Sequence, residues 1–122
     1  MSATDPDDVT QPGVVVHLND PDPAKQAAVL VNITNLRVEL GAGTPVELVV
    51  HGPALALARR DSPDAARLAT LTEAGLQVAV CANSMRALQV TSEDLAGTVR
   101  VVPSGVAHLV HRQREGWAYL RP

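Results

Sequence analysis

Short apolar runs alternate with helix-forming stretches along the chain, and this alternation constrains the fold more than any other feature of the sequence. "GVVVHL" (13–18) stops at the turn-rich "NDPDP" and is followed by "AKQAAVLVNITNLRVELG", a helix closing at Gly41. "PVELVVH" (45–51) turns at Gly52 and leads, with Pro53 in the first turn, into a helix through "ALALARR". Ser62 and Pro63 read as N-cap and first residue of the helix "DAARLATLTEAG", so residues 53–74 form one broken helical crossover before the strand "LQVAVC" (76–81). "NSMRALQ" is a short helix, "TSEDL" starts another with Thr91 or Ser92 as cap, and "VRVVP" (99–103) is the fourth strand. The helix "SGVAHLVHRQREG" and a final short strand "WAYLRP" (117–122) complete the series. The pattern predicts an α/β fold, a three-layer α/β/α sandwich around a mainly parallel five-stranded sheet.

The chain has 122 residues, enough for one domain that folds without disulfide or metal staples. Residues 1–12 carry Asp5, Asp7, Asp8, Pro6 and Pro12 with no periodic apolar positions and read as a disordered acidic leader, leaving a single domain over 13–122. Phe is absent and Trp117 and Tyr119 are the only aromatics, so Val, Leu, Ala and Ile must build the core. A net charge of -3, with no basic cluster and few rings to stack on bases, argues against a nucleic-acid partner. No apolar run approaches the roughly 20 residues that cross a bilayer, so no membrane role is expected. The acidic N-terminus is unlike a signal peptide and the single cysteine forms no internal disulfide, which together predict a reducing cytoplasm.

In a parallel sheet the ligand site lies outside the carboxyl ends of the strands. Here those ends present His17, Asn19, His51, Cys81 and Pro103. If the first three strands are neighbours, about 4.8 Å apart, His17, His51 and Cys81 line one crevice. The first long helix adds a second expectation. Ala27, Leu30, Val31 and Val38 fall on one side and Val29, Ile33, Leu36 and Leu40 on another. Two apolar stripes need two partners, and a homo-oligomer supplies the second; the alternative cover is the leader or the last helix.

Cys81 has two readings. A free cysteine is usually a small buried hydrophobe. Alternation puts Gln77, Ala79 and Cys81 on the face opposite Val78 and Val80, and Cys81 stands just before a helix start. Unpaired N–H groups there, and a protonated His51 beside it, would favour a nucleophilic thiolate. Periodicity alone does not choose between the two. His108, His111 and Glu115 have the spacing of metal ligands, but with Val106, Leu109 and Val110 taken as the buried side they and Arg112 read as a solvated face, so neither a metal nor a cofactor is expected. "GAG" at 41–43 follows a helix and precedes a strand, the reverse of a dinucleotide fingerprint, and no nucleophile elbow is present.

Five stretches taken together, "NITNL", "HGPALAL", "CANSM", "EDL" and "EGWAYLRP", resemble the DsrE/DsrF-like family of small sulfur-metabolism proteins, in the same order across residues 14–122. The resemblance implies a parallel five-stranded α/β/α fold and homotrimers or homohexamers. It also implies that Cys81, at the position where sulfur-relay members carry a persulfide, accepts sulfane sulfur from a donor protein and passes it to an acceptor. Asn83, His51, His17 and Asn32 are then the candidates for supporting the thiolate or a ligand. The competing reading is a non-catalytic oligomeric small-ligand-binding or structural protein of the same fold.

Overall fold

The computed structural model describes residues 11–122. The expected disordered leader therefore lies outside the described residues, except for Gln11 and Pro12, which are exposed. The elements are β1 (Val14–Leu18), α1 (Pro23–Leu40), β2 (Val46–Val50), a 3₁₀ segment (Gly52–Ala58) and α2 (Ala65–Glu73). They continue with β3 (Gln77–Cys81), α3 (Ala82–Leu88), a 3₁₀ turn (Ser92–Asp94), β4 (Arg100–Val102), α4 (Gly105–Arg114) and β5 (Ala118–Leu120). All five strands are parallel, in the order β4-β3-β2-β1-β5.

That order decides which helices lie on which side. From β1 to β4 the chain steps in one direction across the sheet, and right-handed crossovers put the intervening helices on one face. The return from β4 to the far side of β1 reverses direction and puts α4 on the other. The core divides accordingly. Val16, Leu18, Leu48, Val50, Val78 and Val80 pack against Leu30, Ile33, Leu55, Leu57, Leu68 and Met85 on the many-helix side. Val15, Val49, Ala79 and Val102 pack against Leu109 and Trp117 on the other. β2, the middle strand, is buried throughout.

Local chemistry sets the boundaries. Asp22 caps α1 by accepting from Ala24 N–H at 3.0 Å, with Pro23 at the first helical position, where its missing N–H costs nothing. Thr91 and Asp94 close the second 3₁₀ turn as a capping box. Two expected helix starts differ in detail. The "ALALA" stretch is 3₁₀ rather than α, and Ser62 accepts from Asp64 N–H at 3.1 Å in the turn before α2, which begins at Ala65.

Two expected helix faces are also corrected. On α1 the buried set is Gln26, Val29, Leu30 and Ile33, which draws on both apolar stripes, while Val31 and Val38 are left exposed, Val38 at 74%. On α4 the apolar residues Val106 and Val110 face outward, 55% and 45% exposed, and His108 and Arg112 face the sheet. The reason is Glu47. It is fully buried in β2 on the side that α4 covers, and it can be ionised there only if the helix brings cations to it.

Candidate functional site

β3 ends at Cys81, which serves as N-cap of α3 in extended conformation. Its sulfur accepts from Ser84 N–H at 3.4 Å. The Ser84 hydroxyl oxygen accepts from Gly52 N–H at 2.7 Å, and the hydroxyl is one of the groups that lower the thiol. Gly52 follows β2 with φ of 59°, a conformation that suits glycine. From the opposite side comes α4. Its N-cap Ser104 accepts from Ala107 N–H at 3.2 Å, and Gly105, the first helical residue, is packed against Cys81.

Burial pushes the Cys81 thiol up, but the Ser84 hydroxyl and the N–H groups of Gly105, Ser84 and Asn83 outweigh it and hold the thiol below its ordinary value. Cys81 is only 5% exposed. Gly105 makes this possible, since a Cβ at that position would lie 3.1 Å from Cys81 Cβ and 3.2 Å from His51 Cβ.

The condition for convergence of the strand ends is met, because β1, β2 and β3 are adjacent. Val50 pairs with Val80, so the next residues, His51 and Cys81, stand side by side with Gly105 over both. His17 Nε2 lies 2.6 Å from His51 Nε2, the rings stack at 4.8 Å between centroids, and His17 Nδ1 lies 2.6 Å from the Tyr119 hydroxyl on β5. Facing Nε2 atoms leave room for one proton between them, so the pair titrates as a unit. Burial lowers both imidazoles, with the neighbouring His51 and then Arg121 adding to it for His17, and Arg121 for His51. His51 is therefore neutral near pH 7 and turned toward His17. That corrects the expectation that it stands beside the thiol as a positive charge. A polar cleft of about 210 Å³, lined by Asn19, Asp20, Lys25 and Arg121, opens beside His17.

The other two candidates lie differently. The Asn83 side chain is exposed and accepts from Arg86, so Asn83 reaches the sulfur through its backbone N–H alone. Asn32 is exposed on α1, in the layer across the sheet from Cys81. Among the described residues no group of three or more His, Cys, Asp or Glu is placed to hold a metal ion, and His108 bonds Glu47 instead. No helix among the described residues is long and apolar enough to cross a membrane.

The model of the DsrE/DsrF-like family matches residues 14–122. The chain belongs to that family. No curated protein matches it. Among solved structures, this DsrE-like domain is similar to a protein of unknown function, MTH1491, from Methanobacterium thermoautotrophicum. The identity is 36% and the TM-score 0.88, covering 92% of this chain and 100% of that one. It is also similar to the ychN protein of E. coli, with a TM-score of 0.73, 16% identity and the same coverage, a likeness of fold alone.

Four participants in the DsrE-like site were not read from the sequence: Ser84, Gly105, Tyr119 and Glu47. Ser84 had a signal, because a helix whose N-cap is Cys81 places its N3 residue against the cap side chain. Glu47 had one too, as a carboxylate inside the otherwise apolar run "PVELVV" implies a cationic partner. Gly105 and Tyr119 depend on how distant elements meet and carry no local mark.

Proposed function

We propose that Cys81 accepts sulfane sulfur as a persulfide and passes it on, within a homo-oligomer of this chain. The observation that carries the reading is the sulfur itself: at the carboxyl edge of a parallel sheet it accepts from Ser84 N–H in the first turn of α3, the first residue of α4 is packed against it, and its thiol is held below the ordinary value. Donors so placed stabilise an anionic sulfur, which is the nucleophile that sulfur exchange requires. The Cys81 thiolate attacks the outer sulfur of a donor R–S–SH, the donor's S–S bond breaks with its electron pair leaving on R–S⁻, and Cys81–S–SH forms. An acceptor thiolate repeats the step in reverse and regenerates the Cys81 thiolate. No net oxidation occurs and no cofactor enters. A single cysteine suffices for a carrier, and a reducing compartment, the cytoplasm, keeps it free.

The donor and acceptor are thiol proteins docking at this edge. Exposed Val31 and Val38 on α1 and Val106 and Val110 on α4 supply apolar surface for assembly into a trimer or hexamer. Native mass spectrometry before and after treatment with a small-molecule persulfide tests both parts: the oligomer is expected to gain one sulfur per subunit, and the Cys81→Ser variant none.

One observation favours a second reading. The thiol is almost completely covered, which suits a non-catalytic oligomeric protein that binds a small ligand or serves a structural role. That reading predicts a Cys81 that resists alkylation in the native state and a ligand retained on the purified oligomer.

A further inference from the structure

Among the described residues α4 is the helix that covers the Cys81 side of the sheet, and it is held there in an unusual way. Its sheet-facing residues are Gly105, His108, Leu109 and Arg112, of which only Leu109 is a large apolar side chain; Val106 and Val110 point away. Hydrophobic burial along this face is thin. Glu47 fills the gap. Its Oε1 accepts from His108 Nε2 at 2.9 Å and from Arg112 Nε at 2.7 Å, and its Oε2 accepts from Arg100 Nη2 of β4 at 2.7 Å. Arg112 is fixed further by Glu115 at 3.0 Å and by lying 4.5 Å from the centre of the Trp117 ring. Both carboxylate oxygens of Glu47 are thus engaged, and one side chain ties β2, β4 and α4 together. Burial pushes the Glu47 carboxyl up, but Arg112, Arg100 and His108 outweigh it, so the group is ionised at neutral pH.

His108 is three residues from Gly105, about 4.5 Å along a helix that moves as a rigid rod over one turn. Where His108 and Arg112 are held, the first turn of α4 is held as well. Gly105 has little room for error, since a Cβ there would lie within 3.6 Å of Val49 as well as of Cys81 and His51. We propose that Glu47 is a positioning residue for Cys81: through His108 and Arg112 it sets the height of α4 above the sheet and keeps the backbone of Gly105, at the start of that helix, against Cys81. The proposal rests on Cys81 being the working residue, but its test reads the thiol directly and needs no sulfur transfer.

The test is the pH dependence of iodoacetamide alkylation in the full-length chain, compared between the native protein and Glu47→Gln. Glu47 lies four residues before His51 in an extended strand, about 13 Å away along the chain. At that distance, loss of a negative charge alone would move the thiol midpoint down. Loss of positioning moves it up, and an upward shift with several-fold slower alkylation at neutral pH is expected. Arg112→Lys keeps the charge but loses the planar Nε–H, and an upward shift is expected there too, which covers the case in which Glu47→Gln does not fold. A core variant, Leu68→Ala, should lower the melting temperature and leave the midpoint in place. A folded Glu47→Gln or Arg112→Lys protein whose midpoint is unchanged or lower overturns the proposal. An upward shift in a protein that takes up no sulfur leaves Glu47 as the positioning residue and removes the sulfur-carrier reading instead.

Discussion

At the scale of single residues, the chemistry of the site turns on two small residues, Ser84 and Gly105. The Ser84 hydroxyl accepts from Gly52 N–H and is one of the groups that lower the Cys81 thiol, so Ser84→Ala removes that support and leaves the Gly52 N–H without its partner. The expected outcome is a higher thiol midpoint in the alkylation profile and a loss of about 1 kcal/mol of stability in denaturant melts. Gly105 lets α4 approach the two strand ends closely. In Gly105→Ala the new methyl meets the Cβ atoms of Cys81 and His51, which are fixed to strand ends and cannot yield. A loss of about 1–3 kcal/mol by overpacking is expected, read as a lower urea midpoint. Cys81, His17 and His51 were legible in the sequence because a strand's carboxyl end can be located from its apolar run. Their partners were not, since nothing local says which hydroxyl or N–H a distant element will deliver.

At the scale of elements, the Glu47 clamp and the imidazole pair give the fold two separate pH dependences. The Glu47 carboxyl is held below its ordinary value of about 4.3, so its contribution is complete above that pH and is lost as pH falls through the folded value. His17 and His51 are lowered from about 6.5, and the unfolded chain takes up their protons first. Their contribution is complete above about pH 6.5 and declines as pH falls below it. The melting temperature is therefore expected to drop between about pH 7 and pH 5.5, and to drop less in His17→Gln, where a rise on acidification would contradict the assignment. Glu47→Ala, which leaves Arg100 without its carboxylate and Arg112 with Glu115 alone, is expected to cost about 3 kcal/mol in denaturant melts, the low end for a buried pair because Arg100 is half exposed and Arg112 keeps one partner. The rotation of α4 was the main misreading of the sequence. The outward stripe of Val106 and Val110 has the spacing of a buried face, and only the partner strand, with Glu47 at its centre, determines that His108 and Arg112 turn inward.

At the scale of the molecule, the alternation of strands and helices was enough to read a parallel α/β/α sandwich, because each short apolar run needs cover on both faces and each crossover needs a helix. The strand order was not legible; it is a long-range choice. That order, β4-β3-β2-β1-β5, is what places three successive strand ends side by side and, among the described residues, leaves a single helix over them. The fold is shared with MTH1491 at 36% identity, and the family assignment covers residues 14–122. Function rests on whether the shielded sulfur at the sheet edge is reachable by a donor. The decisive measurement is the intact mass of the native protein after treatment with a small-molecule persulfide and removal of excess reagent. The proposed function predicts a gain of one sulfur atom on Cys81, lost again when an acceptor thiol is added and absent in Cys81→Ser. An unchanged mass, with Cys81 also unreactive to iodoacetamide at neutral pH, would contradict it.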